Sequence, residues 1–239
     1  MVYYIGCSGF YYKEWKGIFY PPDLPVKDWF EFYCRYYNTI EINSSFYRTP
    51  SLQSLQNWYG RSPDDFLFSI KAPRLITHIN KFDMSKDVID NFCHLISEGL
   101  QQKLGNILYQ LPPSFTYSPG RLGLICRQLD NGFNNVVEFR HDSWWRQEVF
   151  DHFSRNEIHF CGQSYPGNIP AAPVINNHLL YYRFHGKPVL YKSEYQEETL
   201  QGFLDDIDKS CDKAFIYFNN TWGHAALVNS CQMQELVSG

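Results

Sequence analysis

The sequence predicts an α/β protein that folds as a single (β/α)₈ TIM barrel. Three observations support this fold class: eight short runs that fit buried strands, helical segments that separate most of them, and a length of 239 residues. A barrel of this type typically takes roughly 250 residues and routinely forms one domain. We therefore expect one domain over residues 1–239, and we keep an open, doubly wound sheet as the alternative.

The eight strand predictions rest on short runs rich in β-branched and aromatic residues, which fit buried parallel strands better than amphipathic helices. In chain order the predicted strands are Tyr3–Cys7, Thr39–Ile42, Phe66–Ile70, Asn106–Gln110, Asn135–Phe139, Ile158–Cys161, Leu179–Phe184 and Ala214–Phe218.

The helix predictions rest on apolar residues at helical spacing between these strands. The predicted helical segments are Val26–Tyr37, Ser51–Tyr59, Lys86–Lys103, Pro119–Leu129, Ser143–Ser154, Glu198–Cys211 and His224–Leu236. The segment Gln163–Asn177 is rich in Pro and Asn and is typical of a loop. We therefore expect a reduced or missing helix between the sixth and seventh strands.

Composition narrows the function classes. The formal net charge of −4 argues against a broad nucleic-acid-binding surface, although a local basic pocket remains compatible with it. The sequence has no apolar run of 18 or more residues and no signal-peptide pattern at its start, so we expect neither a membrane span nor secretion. Seven widely spaced cysteines without a CxxC pair indicate reduced thiols and a cytoplasmic location.

Polar residues follow the predicted strands, at the end where a TIM barrel carries its functional site. Three strands end in polar–apolar–polar triplets, and these are Glu41-Ile42-Asn43, Glu138-Phe139-Arg140 and Arg183-Phe184-His185. Side chains alternate along a strand, so both polar members of a triplet share one face. We expect them to face one cavity, while Ile42, Phe139 and Phe184 face the helices. Other strand ends add Ser8, Lys71, Gln110, Gln163, Asn219 and Asn220.

Two interpretations of this polar set stay open. In the first, Glu41 and Glu138 pair with the nearby cations in a purely structural ion network. In the second, the set is a ligand site, which we favour because charges cluster at one end of many strands. Under the second interpretation Arg183 is a rim charge with access to water, so its removal costs little stability.

The chain also resembles the domain-of-unknown-function 72 family, the YecE-like proteins, over nearly its whole length. The residues that carry the resemblance are Gly6-Cys7-Ser8-Gly9-Phe10, Glu41-Ile42-Asn43-Ser44-Ser45-Phe46-Tyr47, Phe66–Lys71, Gln110-Leu111-Pro112-Pro113, Val137–His141, Tyr182–Gly186 and Phe218-Asn219-Asn220. The resemblance implies a TIM-barrel fold and assigns no reaction or cofactor. In similar proteins the sixth strand often ends near an acidic residue, whereas this chain has Phe160-Cys161-Gly162-Gln163.

We favour an enzyme of undefined reaction class that acts on a small anionic or polyhydroxylated substrate. Glu41 and Glu138 are candidates for the general acid and base, because paired carboxylates in different surroundings can hold different protonation states. His185 is a candidate proton shuttle near neutral pH. Candidate substrate-binding residues, which would hold an anion or orient hydroxyls, are Asn43, Lys71, Gln110, Arg140, Arg183, Asn219 and Asn220.

Two alternatives from other classes remain. Glu41, Glu138 and His185, with His78, could bind a divalent metal for a hydrolase or isomerase, although nearby cations oppose this and no motif requires a cofactor. Aromatic residues such as Tyr11 and Tyr12 could stack on bases in a nucleic-acid-binding or repair-associated protein. The expected partner is a small anionic ligand; nucleic acid is disfavoured, no metal ligand is assigned, and the sequence does not indicate an oligomeric state.

Overall fold

Eight parallel strands form one sheet in the order β1-β8-β7-β6-β5-β4-β3-β2, which confirms the predicted TIM-barrel architecture. The computed structural model describes residues 1–207 and 211–239. The strands are β1 Val2–Cys7, β2 Thr39–Ile42, β3 Leu67–Lys71, β4 Leu104–Gln110, β5 Asn135–Glu138, β6 Ile158–Ser164, β7 Leu179–Phe184 and β8 Lys213–Phe218. Each overlaps the run predicted for it.

Seven α-helices alternate with these strands in the described residues. They are α1 Trp29–Tyr33, α2 Leu52–Arg61, α3 Lys86–Leu100, α4 Pro119–Gln128, α5 Gln147–Arg155, α6 Glu197–Asp205 and α7 Ala225–Ser238. The predicted helix Glu198–Cys211 corresponds to α6, and its residues 208–210 lie outside the described residues. A short π-helical turn at Leu75–Ile79, which the sequence pattern did not indicate, follows β3.

Two of the predicted helical segments begin with a 3₁₀ turn, so their α-helices start later than predicted. The segment predicted as Ser143–Ser154 begins with a 3₁₀ turn at Asp142–Trp144, and α5 starts only at Gln147. Trp144 stacks on Phe139 with ring centroids 3.9 Å apart, and its indole nitrogen donates to the Phe115 carbonyl at 2.7 Å. These contacts hold Trp144 against the barrel wall instead of on the helix. Likewise, Val26–Asp28 is a 3₁₀ turn that precedes the single-turn α1.

No helix occurs between β6 and β7 in residues 165–178, all of which the structure describes, as expected from the Pro- and Asn-rich sequence. In this loop, the side chain of Asn176 forms hydrogen bonds with the backbone of β6. Its Oδ1 accepts from the Phe160 backbone nitrogen at 2.8 Å, and its Nδ2 donates to the Ile158 carbonyl at 2.7 Å. This loop therefore remains attached to β6 through side-chain hydrogen bonds.

The barrel is closed between β1 and β2 by side chains, whereas the other strand pairs are joined by backbone ladders. Asn38 accepts from the Ile5 nitrogen at 3.3 Å and donates to the Tyr3 carbonyl at 2.9 Å. The Tyr33 hydroxyl accepts from the Cys7 nitrogen at 2.8 Å and donates to the Thr39 carbonyl at 3.1 Å. These two side chains bridge the strands in place of a backbone ladder.

The two faces of each strand carry different residues. The lumen holds a small apolar cluster that consists of Leu108, Val136, Cys161, Leu179, Tyr181, Phe215 and Tyr217. A larger core lies between the strands and the helices, and it includes Ile42, Phe139 and Phe184. Phe184, for example, contacts Phe203 of α6 with ring centroids 5.0 Å apart. The apolar members of the three triplets therefore face outward, as predicted from the two-residue period.

Candidate functional site

Arg183 lies at the centre of the polar cluster, where β2, β5 and β7 converge above the lumen. Its Nη2 is 2.6 Å from Glu41 Oε1, and its Nη1 is 2.5 Å from Glu138 Oε2. One guanidinium thus bridges the two carboxylates proposed as acid and base. Such charge-assisted hydrogen bonds are roughly twice as strong as those between neutral groups.

The expectation that Arg183 is a rim charge with access to water is wrong. Its side chain is 1% exposed, and Glu41, Glu138 and His185 are completely buried. The reason lies in strand register, because Arg183 pairs with Gln163 of β6 and Tyr217 of β8, inside the sheet and not beyond it. The centre of the cluster is therefore a buried ion network.

Glu138 is held as an anion despite its burial. Burial alone would raise the pKa of this carboxyl, but the charges of Arg140 and Arg183 keep the pKa well below its usual range. Arg140 Nε is 2.5 Å from Glu138 Oε1, and His185 Nε2 is 3.2 Å from the same oxygen. A carboxylate fixed in this way accepts hydrogen bonds and does not serve as a general acid near neutral pH.

His185 is held in the neutral form. Burial, followed by the charges of Arg140 and Arg183, keeps its pKa well below the ordinary value. Its Nδ1 is 2.9 Å from Asn219 Nδ2, and its Nε2 is 3.1 Å from Arg140 Nη2. A guanidinium can only donate, so Nε2 is the acceptor in its contact with Arg140.

Glu41 is bound by hydroxyl groups as well as by Arg183. Ser8 Oγ donates to Glu41 Oε1 at 2.7 Å, and Tyr181 OH donates to Oε2 at the same distance. Both carboxylate oxygens therefore accept hydrogen bonds. The arrangement holds Glu41 in a fixed orientation below the mouth of the barrel.

Lys71 differs from the other cations because it has no carboxylate partner among the described residues. Its Nζ donates to Gln110 Oε1 at 3.0 Å and lies 4.5 Å from the centre of the Phe46 ring. Burial, together with the charge of Arg183, lowers the pKa of Lys71 to about 7. An amine with this pKa can both accept and donate a proton near neutral pH.

The three asparagines predicted to bind substrate have different environments. Asn43 Oδ1 is buried and has no hydrogen-bond partner within the described parts of the chain. Asn219 contacts His185, as described above. Asn220 turns away from the cluster and donates to the Ser193 carbonyl and to Asn229 Oδ1, both at 3.0 Å. Its contacts therefore serve the loops that follow β7 and β8.

Cavities flank the ion cluster at the carboxyl ends of the strands. One, of about 240 Å³, is lined by Ser8, Gly9, Phe10, Tyr11, Tyr12, Ile42, Asn43, Ser44 and Trp58. It reaches the cluster through Ser8, the donor to Glu41, and contains the candidate residue Asn43. Another, of about 380 Å³, is lined by Tyr12, Glu14, Tyr191, Thr221, Trp222 and Gly223. Tyr12 borders both cavities, and its hydroxyl donates to the Ser8 carbonyl at 2.6 Å.

Sequence reasoning missed two residues that contact the cluster. Tyr181 donates to Glu41, and the ring of Tyr165 lies under the Arg140 guanidinium at 4.2 Å. Both could have been found from the strand period, because Tyr181 lies two residues before Arg183 and Tyr165 two residues after Gln163. Aromatic residues at such positions are usually assigned to the core, which is why they were not singled out.

The donor set does not favour a metal. Within residues 1–207 and 211–239, no group of three or more His, Cys, Asp or Glu side chains is arranged to hold one. Arg183 occupies the space between Glu41 and Glu138, and its charge opposes a cation there. No helix in the described part of the chain is long and apolar enough to cross a membrane.

The fold and the charged mouth define a TIM-barrel protein with a candidate binding site at the usual face of the barrel. A family profile described as "Protein of unknown function DUF72" matches residues 4–239, and the chain belongs to this family. The chain is similar to the UPF0759 protein YunF of Bacillus subtilis (strain 168), with 25% identity over 268 residues that cover 98% of this chain and 94% of that protein. It is also similar to the UPF0759 protein YecE of Escherichia coli (strain K12), with 30% identity over 118 residues that cover 48% of this chain and 42% of that protein.

Solved structures agree with the fold. A DUF72 family protein from Thermotoga maritima MSB8 has a TM-score of 0.91 and 27% identity, with full coverage of both chains. A DUF72 family protein from Enterococcus faecalis V583 has a TM-score of 0.87 and 17% identity, with 100% of this chain and 96% of that chain covered, and it supports the fold alone.

Proposed function

We propose that this protein is an enzyme that binds a small anionic or polyhydroxylated substrate at the mouth of the barrel and transfers a proton through Lys71. The observation that carries the proposal is the charge balance of the cluster. Arg140 and Arg183 are compensated by Glu138 and Glu41, while Lys71 has no carboxylate partner in the described residues. A protonated Lys71 leaves one uncompensated positive charge, which a substrate anion would neutralise.

In this proposal the Lys71 amine transfers the proton, and the carboxylates of Glu41 and Glu138 do not. Glu138 is held as an anion between Arg140 and Arg183, and Nε2 of the neutral His185 lies 3.2 Å from its Oε1. Both are positioning residues in this proposal, and Glu41 is a third. Lys71, with a pKa lowered to about 7, has the protonation balance that general acid–base catalysis needs.

The cavity beside the cluster suggests where the body of the substrate lies. Its lining includes Ser8 and Asn43, and the unpartnered Oδ1 of Asn43 can accept a hydrogen bond from a substrate hydroxyl. The volume of about 240 Å³ fits a compound of a few carbon atoms with polar substituents. In this arrangement the substrate anion contacts Lys71 and Arg140, and its hydroxyl groups face Asn43 and Gln110.

Sulfate is a suitable first probe because its charge does not change between pH 6 and pH 9. We expect calorimetry to show sulfate binding to the wild type that weakens as Lys71 deprotonates, with proton uptake on binding above pH 7. Lys71→Met should lose most of this binding. Arg155→Ala removes one exposed cation from the end of α5, remote from the mouth, and serves as the matched control. Equal sulfate affinity of the wild type and Lys71→Met would refute the anion site.

Catalysis requires a separate measurement. The wild type and Lys71→Met are incubated with a panel of sugar phosphates and sugar acids, and new species are followed by nuclear magnetic resonance. We expect one class to be converted by the wild type and not by Lys71→Met. Conversion that Lys71→Met retains would contradict the assigned role of the amine.

The other two functions have less support. A metal-dependent hydrolase would need carboxylate oxygens that Arg183 already occupies. For nucleic-acid binding, Trp15 is fully buried and Tyr12 is half-buried, so the aromatic segment after β1 is largely packed as a loop. Tyr11 remains 56% exposed, but the net charge of −4 opposes a long polyanion.

A further inference from the structure

A second group of cations lies beside the mouth, on the loop that follows β3. The side chain of Arg74 is exposed and forms no hydrogen bond or ion pair with any described residue. Among the described residues, Lys81 Nζ hydrogen-bonds only to the Ser114 hydroxyl, at 3.5 Å. The sequence from Lys71 to Lys81 contains no Asp or Glu. Asp83, the acidic residue of this loop, is exposed and forms no ion pair with either cation, so both positive charges stay unpaired within the described residues.

The loop joins this group directly to the inner site. The ring of Phe46 lies 4.5 Å from Lys71 Nζ and 4.9 Å from the ring centre of His78. Lys71 and His78 therefore contact the same phenyl ring. Burial lowers the pKa of His78 to about 4, and the charges of Lys71, Arg74, Arg140 and Lys81 act in the same direction. A neutral imidazole is thus surrounded by cations from both the inner and the outer groups.

The backbone of the loop is firmly anchored. Phe82 is fully buried, and Gln128 Nε2 donates to the carbonyls of Phe82 and Met84 at 2.9 and 2.8 Å. Phe82 N also donates to the Ile76 carbonyl at 2.9 Å, which closes the turn. A loop held at both its carbonyls and its side chain presents its cations at a lower entropic cost than a mobile one.

We propose that Arg74 and Lys81 form an outer anion subsite, so that the substrate is a compound with two anionic groups, such as a bisphosphorylated compound or a phosphorylated carboxylic acid. The inner group contacts Lys71 and Arg140, and the outer group contacts Arg74 and Lys81. This inference rests on the proposed function, because it extends the same binding site outward.

Calorimetry with inorganic phosphate and with tripolyphosphate at pH 7 and low salt tests the subsite. We expect the wild type to bind tripolyphosphate at least tenfold more tightly than phosphate. The variant Arg74→Ala/Lys81→Ala removes both outer cations, so it should lose about tenfold for tripolyphosphate and little for phosphate. Arg155→Ala, a remote exposed cation, should change neither, and melting curves should show that all variants fold.

The outcomes separate this inference from the proposed function. If Arg74→Ala/Lys81→Ala keeps the full preference for tripolyphosphate, or if Arg155→Ala reduces it equally, the outer subsite is refuted. The inner site still stands in that case if Lys71→Met loses phosphate binding. If Lys71→Met binds phosphate as the wild type does, the proposed function fails, whatever the double variant shows.

Discussion

Replacing Arg183 with methionine should destabilise the protein severely, because it leaves two buried carboxylates facing each other. The guanidinium makes two charge-assisted hydrogen bonds, at 2.6 Å to Glu41 and 2.5 Å to Glu138. Each bond of this type contributes about 1.5–3 kcal/mol, and breaking a buried ion pair costs about 3–5 kcal/mol. We expect Arg183→Met to lose about 3–5 kcal/mol, a fall in Tm of about 10 °C for a chain of this size.

The loss of stability in Arg183→Met should depend on pH, and this dependence identifies the unpaired carboxylates as its cause. Without Arg183, Glu138 keeps Arg140, whereas Glu41 keeps only the hydroxyls of Ser8 and Tyr181. Repulsion and burial then raise the pKa of one carboxyl above its value in the unfolded chain. The folded variant binds more protons than the unfolded chain, so its deficit shrinks as the pH falls from 8 to 5.

Thermal melting at pH 5 and pH 8 measures both effects. Phe184→Ala is the matched control, because this buried ring also costs about 3–5 kcal/mol when removed and carries no charge. Its deficit should be the same at both pH values. Arg183→Met/Glu41→Gln should recover part of the stability by removing one carboxylate charge. A loss below about 1 kcal/mol for Arg183→Met, or a loss that does not change with pH, would refute the reasoning.

Three further predictions concern the contact between β1 and β2 and the titration of two buried groups. Gly6→Ala should lower the free energy of unfolding by about 1–3 kcal/mol in denaturant melts, because its Cβ would lie 2.4 Å from the Thr39 carbonyl oxygen. Gly120→Ala is the control and should not lower it, because nothing lies within 4 Å of the added Cβ. His159, whose pKa burial lowers to about 4, should cause a loss of stability as the pH falls from 6.5 to 4, because the unfolded chain then binds more protons. His159→Leu should remove about 3 kcal/mol of this acid sensitivity. The wild type should gain stability from pH 7 to 10.5, because Lys71 loses its proton in the folded protein but keeps it in the unfolded chain. Lys71→Met should abolish this gain.

The positions of the strands could be predicted because buried parallel strands have a strong local signature. Thr39–Ile42 and Leu179–Phe184 match their predicted bounds, since each is a continuous run of residues that fit a strand. The end of β6 was placed at Cys161, three residues too early, because Gln163 and Ser164 are polar. They belong to the strand because they pair with Arg183 and Phe184 of β7. Such tertiary pairing is not visible in the local composition.

The residues of the candidate site were predictable, but their depth and pairing were not. The two-residue period placed Glu41, Glu138 and Arg183 at strand ends on the lumen side, and the structure brings them together. Which cation meets which carboxylate depends on the relative register of β2, β5 and β7, which are distant in sequence. Asn220 shows the same limit, because the turn after β8 directs its amide toward Ser193. A strand-end position alone does not determine where a side chain points.

The structural ion network and the binding site, posed as alternatives from the sequence, act together in our interpretation. Arg183 is fixed by Glu41 and Glu138, so its charge stays close to Lys71 and, with burial, keeps the pKa of that amine near 7. We infer that the buried network tunes the amine, while Lys71 and Arg140 meet the substrate. The two arginines, Arg140 after β5 and Arg183 on β7, then have different tasks, and burial distinguishes them: Arg183 is completely enclosed, whereas Arg140 keeps 6% of its side chain exposed at the mouth.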